Sequence, residues 1–289
     1  MNVFIFGATG MLGSALFQYL PVFDSSIRTF GGYREGAVLP KCPDGSQLVQ
    51  IDNVFDEASI SQAFRIHKID VVINAIGVIK QLKGKNSDVE FIRLNSLLPH
   101  FLADLTEAAG ARLINISTDC VFTGGEGMYT EDSIPDAADV YGRSKLLGEV
   151  LGRAHVVNLR TSIIGHESGR AASLIDWFLS QTGKVNGYSH AVFSGFPTVE
   201  LARLISEYVF PRPDLQGLWH VSVEPINKYD LLTLVADIYG HDVVITPVDK
   251  PVINRSLLSG RFRKETGFNP LPWRSLVESM HKNKIEWSK

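Results

Sequence analysis

Two side chains four positions apart, Tyr141 and Lys145, carry the sharpest chemical signal in the sequence. They open the stretch Tyr141-Gly142-Arg143-Ser144-Lys145, whose pattern predicts a helix running to near Gly152. Residues at i and i+4 share one helix face, so both can address one site. A phenol and an ammonium together suit the proton side of a carbonyl reduction, in which hydride goes to carbon and a proton to oxygen. A phenol near its free pKa of roughly 10 is a slow acid at neutral pH. A neighbouring ammonium is expected to lower that value and make Tyr141 the better general acid. Taken singly, such a pair arises in many helices with no function. Upstream, Ser117-Thr118-Asp119-Cys120-Val121-Phe122 closes a candidate strand. The carboxyl ends of parallel strands form a ligand crevice, which puts Ser117 and Thr118 in position to hydrogen-bond a substrate carbonyl. The plain alternative for Thr118 is a strand-end hydroxyl bonding its own backbone.

A second signal is Gly7-Ala8-Thr9-Gly10-Met11-Leu12-Gly13, which directly follows the first strand and directly precedes an amphipathic helix. In that context the first glycine permits a tight turn, Gly10 lets the backbone approach a pyrophosphate, and Gly13 lets helix and strand pack closely. The anion would sit at the helix N-terminus, where unpaired N–H groups and the dipole favour negative charge. Gly7, Thr9, Gly10, Met11 and Leu12 are therefore the candidate cofactor contacts of this loop. The second strand ends Phe30-Gly31-Gly32-Tyr33-Arg34 with no carboxylate to take a ribose 2′-hydroxyl. Arg34 suits a 2′-phosphate instead, so NADP(H) is expected over NAD(H). With Glu35 beside it, a solvated loop charge is the other reading of Arg34.

These residues need a scaffold. Val3–Phe6, Ile27–Phe30, Leu48–Ile51, Val71–Asn74, Leu113–Ser117 and Val156–Leu159 are mostly short continuous apolar runs, as parallel strands buried on both faces require. Helical stripes lie between them, Leu12/Leu16/Leu20 and Phe91/Leu94/Leu98/Leu102/Leu105 among others. The alternation predicts an α/β fold, a Rossmann-type doubly wound parallel sheet over 1–160 with a smaller mixed α/β substrate lobe over 161–289. Segments around 198–222 are expected to return to the main domain. In the second lobe, helices are predicted at Ser173–Ser180, Val199–Tyr208, Lys228–Tyr239 and Ser275–Lys282, and short strands at Trp219–Ser222 and Val243–Pro247.

Composition narrows the function class. The chain has 289 residues, 45% hydrophobic and 20% charged, with a formal charge of −3. That balance argues against nucleic acid or an anionic membrane surface as partner. Two cysteines, Cys42 and Cys120, fit a reducing compartment, and the eight histidines lack metal-ligand spacing, so no metal is expected. No apolar run approaches the roughly 18 residues of a membrane span, and a cytoplasmic location is the expectation.

Together the motifs acquire a family likeness. The spacing Gly-x-x-Gly-x-x-Gly resembles the extended short-chain dehydrogenase/reductase superfamily. Ser-Thr-Asp-x-Val-Phe at 117–122, Tyr129-Thr130-Glu131, Pro135 and Tyr-Gly-x-Ser-Lys-x-x-Gly-Glu at 141–149 resemble its dTDP-4-dehydrorhamnose reductase branch. The resemblance implies Thr118, Tyr141 and Lys145 as the catalytic triad, and reduction of the 4-keto group of a nucleotide-linked 6-deoxyhexose by NAD(P)H. It further implies that Asp52 accepts from the adenine amino group and that Asn74, Ala75, Ile76 and Gly77 run beside the cofactor ribose, where Lys145 also reaches. Asp119 joins Ser117 and Thr118 on the substrate side. The related 4,6-dehydratases carry Asp-Glu after the Thr; here the pair is Asp119-Cys120, which argues against dehydration and reads Cys120 as a small buried apolar residue.

A nucleotide diphosphate needs cations, and Arg160, Lys184, Arg255, Arg261 and Arg263 are available, with Arg255 and Arg261 the best candidates. A solvated basic face is the competing account of these charges. Trp177 reads as core, and Phe193–Thr198 as either a cleft wall or a plain loop. The pattern departs from the branch at Val78–Lys83 and matches loosely around Arg255–Leu257 and Arg261–Arg263. Two alternatives remain: an epimerase on the same fold, and a non-catalytic NADP-binding regulatory subunit. A homodimer is compatible with either.

Overall fold

The computed structural model describes residues 1–79, 87–167 and 173–287. The first half alternates β1 (Asn2–Phe6), α1 (Met11–Phe23), β2 (Arg28–Tyr33), β3 (Gln47–Gln50), α2 (Glu57–His67), β4 (Val71–Asn74), α3 (Asp88–Phe91), α4 (Leu98–Ala109), β5 (Arg112–Thr118), α5 (Val140–Leu147) and β6 (Val156–Thr161). A π-helical turn, Ile92–Leu97, joins α3 to α4. The second half contains β7 (Ile163–Ile164), α6 (Leu174–Leu179), β8 (Lys184–Tyr188), β9 (Ala191–Phe193), β10 (Phe196–Pro197), α7 (Thr198–Leu204) and β11 (Gly217–His220). It closes with β12 (Ile226–Asn227), α8 (Lys228–Tyr239), β13 (Val244–Val248), β14 (Ile253–Asn254), α9 (Gly260–Thr266) and α10 (Trp273–Lys282).

Seven strands form one parallel sheet in the order β11-β6-β5-β4-β1-β2-β3. The expected doubly wound architecture is present. Its strand order reverses between β1 and β4, so the crevice beyond their carboxyl ends is where such a sheet binds ligand. Neighbouring residues on a strand serve opposite faces: Val3 and Ile5 pack with α1 on one side, Phe4 and Phe6 with α2 and α4 on the other. Each of these side chains is at most 1% exposed, and burying one stabilises the fold by about 1.5–3 kcal/mol. Burial on both faces is why the strands read as unbroken apolar runs.

Segment 198–222 supplies α7, which packs on α1 through Leu201 and Leu204, and β11, the sheet's edge beside β6. The remainder builds its own core from α6, α8 and α10 around Phe178, Leu231, Val235 and Val277. Helix α5 ends at Leu147, short of Gly152, because Gly148 lies against the Asn95 carbonyl and a Cβ there would come within 1.9 Å of it. Helix α2 was not expected; it buries only Ile60, Ala63 and Phe64, too thin a stripe to read. No helix among the described residues is long and apolar enough to cross a membrane.

Candidate active site

The glycine loop is shaped for close backbone approach. Gly7 has φ +83°, a conformation side chains resist. A Cβ on Gly13 would stand 2.0 Å from the Gly7 carbonyl oxygen. Gly10 caps α1 without a side-chain hydrogen bond, and the first turn holds no acidic residue. The N-terminal N–H groups of this long helix, with Thr9, Met11 and Leu12 around them, are thus open to an anion. Ala75 and Ile76 from the end of β4 lie 3.1–3.2 Å from where a Gly7 Cβ would be, so the two strand ends on either side of the reversal meet here. A pyrophosphate fits this cradle.

Flanking it, Arg34 is exposed at the tip of β2. Asp52 takes the Glu35 N–H at 2.9 Å and the Gln50 amide at 2.8 Å, and these two bonds hold its carboxyl below the usual range. Asp52 therefore fixes the turn that presents Arg34 while itself facing solvent. Asn74 looks inward, donating to Asn115 at 3.0 Å, and its amide oxygen takes the Ile76 N–H at 3.2 Å. Beyond it Gly77 is close to Lys145: a Cβ there would be 4.0 Å from Nζ. Lys80–Lys83 of the divergent segment lie outside the described residues.

The strand end carrying Thr118 and the helix carrying Tyr141 and Lys145 are locked together. Thr118 closes β5; its hydroxyl accepts from the Cys120 N–H at 3.1 Å and donates to Asp119 at 3.3 Å. The Tyr141 phenol is hydrogen-bonded to the same hydroxyl. Helix α5 starts on Asp139, whose carboxylate accepts the Gly142 N–H at 2.8 Å. One turn on, Lys145 Nζ donates to the Ile116 carbonyl at 2.6 Å.

The electrostatics correct one expectation. Burial pushes the Tyr141 phenol above its ordinary pKa, the neighbouring Cys120, Asp119 and Asp139 add to this, and the Thr118 hydrogen bond only partly opposes it. Lys145 is not among the influences that lower it. Burial instead brings Lys145 itself down to about 8, against the pull of Glu149. The desolvation that would make an ammonium more effective on its neighbour also weakens the phenolate, and here desolvation wins. Burial thus shifts the two groups in opposite directions, each toward its neutral form.

Ser117 and Thr118 part company. Ser117, expected at the substrate carbonyl, donates its proton to Glu149 at 2.7 Å inside the core. Arg160, one of the candidate cations, is 3% exposed and forked onto the same Glu149 at 2.6 and 2.7 Å. Arg261 lies over the Trp219 ring, 4.4 Å from its centroid, and Arg263 pairs with Glu224 at 3.0 Å. Arg255 alone of the expected cations lines the cleft of about 320 Å³ bounded by Cys120, Phe122, Thr123, Ala138 and Asp139, held there by its Nε–H to the Phe122 carbonyl at 2.9 Å. Cys120 lines this cleft too and is half-buried, not the enclosed apolar residue expected. Trp177, expected in the core, is 38% exposed. Phe193 is buried and packs on Trp273 with 5.5 Å between ring centroids.

One buried cation was not foreseen. Lys228, the first residue of α8, sets its ammonium 3.8 Å from the centre of the Phe193 ring, with Asp119 and Cys120 nearby. Burial lowers it to about 8. Asp119, pushed up by burial, is drawn back by the Cys120 hydrogen bond and by Arg255 and Lys228. A signal existed: a lysine in the first position of a helix opposes the macrodipole, so a local reason for it fails.

A family model described as RmlD substrate binding domain matches residues 1–285. The chain is 28% identical over 291 residues to the spore coat polysaccharide biosynthesis protein SpsK of Bacillus subtilis (strain 168), covering 96% of this chain and 95% of that one. It is 26% identical over 253 residues to methionine adenosyltransferase 2 subunit beta of Xenopus laevis, covering 82% and 71%. Among solved structures, dTDP-4-dehydrorhamnose reductase from Bacillus anthracis str. Ames in complex with NADP superposes with a TM-score of 0.75 at 18% identity, covering 97% of this chain and 98% of that one.

Proposed function

The chain belongs to the RmlD substrate binding domain family, and from that membership and the site geometry we propose that it is an NADPH-dependent reductase of the 4-keto group of a nucleotide-linked 6-deoxyhexose. The observation that carries this is the Thr118–Tyr141 hydroxyl pair backed by Lys145, next to a glycine cradle shaped for a pyrophosphate. The reduced nicotinamide, when bound, supplies hydride to the carbonyl carbon. Thr118 and Tyr141 point two hydroxyls at one place, where both can hydrogen-bond the carbonyl oxygen. Tyr141 gives its proton to that oxygen as charge builds on it, leaving the alcohol, and the Lys145 ammonium, close to Gly77, holds the nicotinamide ribose in place for the transfer. Arg255 is the cation for the substrate diphosphate; the substrate roles expected of Ser117 and Arg261 are not retained, since both are engaged elsewhere.

NADPH absorbance followed with a panel of nucleotide-linked 4-keto-6-deoxy sugars tests the reading. Consumption with at least one supports it; none with any sugar, while the protein still binds NADPH, overturns it. The same assay separates a second reading, a non-catalytic NADP-binding regulatory subunit, which the similarity to methionine adenosyltransferase 2 subunit beta favours. An epimerase would instead turn over with retained NAD and no added reductant.

Arg34 is the proposed 2′-phosphate contact. Arg34→Ala should weaken NADPH binding by about tenfold or more, the worth of a charge-assisted hydrogen bond, and leave NADH within about twofold. Equal losses in a fluorescence titration would retire the assignment.

A further inference from the structure

Glu149 lies just past the end of α5, four residues beyond Lys145, and is 7% exposed. Its carboxylate accepts three hydrogen bonds: from Ser117 Oγ at 2.7 Å, Arg160 Nε at 2.6 Å and Arg160 Nη2 at 2.7 Å. Ser117 stands between Ile116, whose carbonyl holds Lys145 Nζ, and Thr118, whose hydroxyl meets Tyr141. Arg160 is the register partner of Ser117 across β5 and β6. Its Nη1 reaches His220 Nε2 at 3.3 Å, and His220 Nδ1 meets the Tyr129 carbonyl at 3.1 Å. The guanidinium also sits 5.4 Å from the centre of Phe122, which stacks on Tyr129 at 4.0 Å. One carboxylate thus ties the end of β5, the end of α5 and β6 into a single block directly behind the proton-handling pair.

Stability alone is a weak reason for this arrangement, because a buried Arg–Glu pair is on average no better than an apolar pair of similar volume. We propose that Glu149 is a positioning residue of the active site, clamping the end of β5 to α5 and so fixing where Lys145 stands on the Ile116 carbonyl beside Tyr141. This rests on Tyr141 and Lys145 being the proton-handling pair. Burial alone drives a lysine toward its neutral form, and Glu149 is the opposing charge. The other groups around this block leave that role to Glu149. Arg160 is spent on Glu149 itself, and His220 is pushed down to about 3 by burial and by Arg160, hence neutral. The Tyr141 phenol is neutral, and Asn95 beside Gly77 carries no charge.

The test reads Lys145 directly, by the pH titration of its 13Cε resonance in lysine-labelled protein without substrate, assigned with Lys145→Met. In Glu149→Gln the midpoint should fall by about one pH unit or more, and the alkaline limb of kcat should move with it. Glu149→Gln leaves Arg160 buried without its partner, so Glu149→Gln/Arg160→Met is measured beside it; it should keep the fold and, having lost the Arg160 charge as well, show a smaller fall. A midpoint unchanged in Glu149→Gln overturns the proposal, even if the melting temperature drops, since a merely structural carboxylate would move only the latter. A lowered midpoint in a protein that reduces no keto-sugar supports the inference and sinks the catalytic reading instead.

Discussion

Tyr141→Phe should lower kcat by about 10²–10⁴-fold while leaving NADPH affinity within about twofold, the span usual for losing one general acid. The change deletes a single oxygen. The ring keeps its edge contact with Phe91, 6.5 Å between centroids, and the Thr118 hydroxyl keeps the Cys120 N–H and Asp119. Misfolding therefore does not explain the loss, and a melting temperature near that of the unsubstituted protein should accompany it. The pH profile sharpens the test. Because burial raises Tyr141, the phenol stays protonated across the working range; Lys145, at about 8, is the group that changes. Activity should be level below that value and fall above it as the ammonium loses its proton. Steady-state kinetics from pH 6 to 9.5 (roughly the range around these groups) with a fluorescence titration of NADPH decide it. A variant within threefold of the original kcat would remove Tyr141 from the mechanism.

What was legible in the sequence had local causes. The glycine loop announces itself because a strand, a turn and a helix N-terminus follow within seven positions, Gly7–Gly13, with a positive φ at Gly7 and a clash with the Gly7 carbonyl awaiting any side chain at Gly13. Tyr141 and Lys145 are set by helix periodicity. Ser117 and Thr118 show where locality ends. Successive residues on a strand face opposite sides, but β5 is buried on both, so the pattern cannot say which hydroxyl meets the site and which meets Glu149. The cations fail for the same reason: Arg160 and Arg261 found Glu149 and Trp219, partners that the assembled sheet brings near, and Lys228 lies over the Phe193 ring from a helix whose start was read without its ammonium. The direction of the Tyr141 shift also needed the structure, since it depends on burial more than on the neighbour the sequence could name.

Gly142, between Tyr141 and Lys145 on α5, shows how a position can look permissive and be strict. In an exposed helix, Gly→Ala would stabilise by about 1 kcal/mol. Here a Cβ would come within 2.3 Å of the Cys120 carbonyl oxygen and 2.6 Å of the Ala137 Cβ. The first contact is to backbone, so it cannot be relieved by turning a side chain. Either α5 or the turn after Thr118 must retreat by about 1 Å, and a misplacement of that size costs about a hundredfold in rate. Overpacking of this kind also costs about 1–3 kcal/mol, which outweighs the gain in helix propensity. Gly142→Ala should therefore lower both kcat and the melting temperature, with NADPH binding retained because the Gly7–Gly13 cradle lies on another strand end. The loss should appear in kcat far more than in KM, since what moves is the spacing between Thr118 and Tyr141 and not the Arg255 cleft proposed for the substrate. A variant with unchanged kcat and a raised melting temperature would mean that the close approach of α5 to Cys120 sets nothing in the reaction.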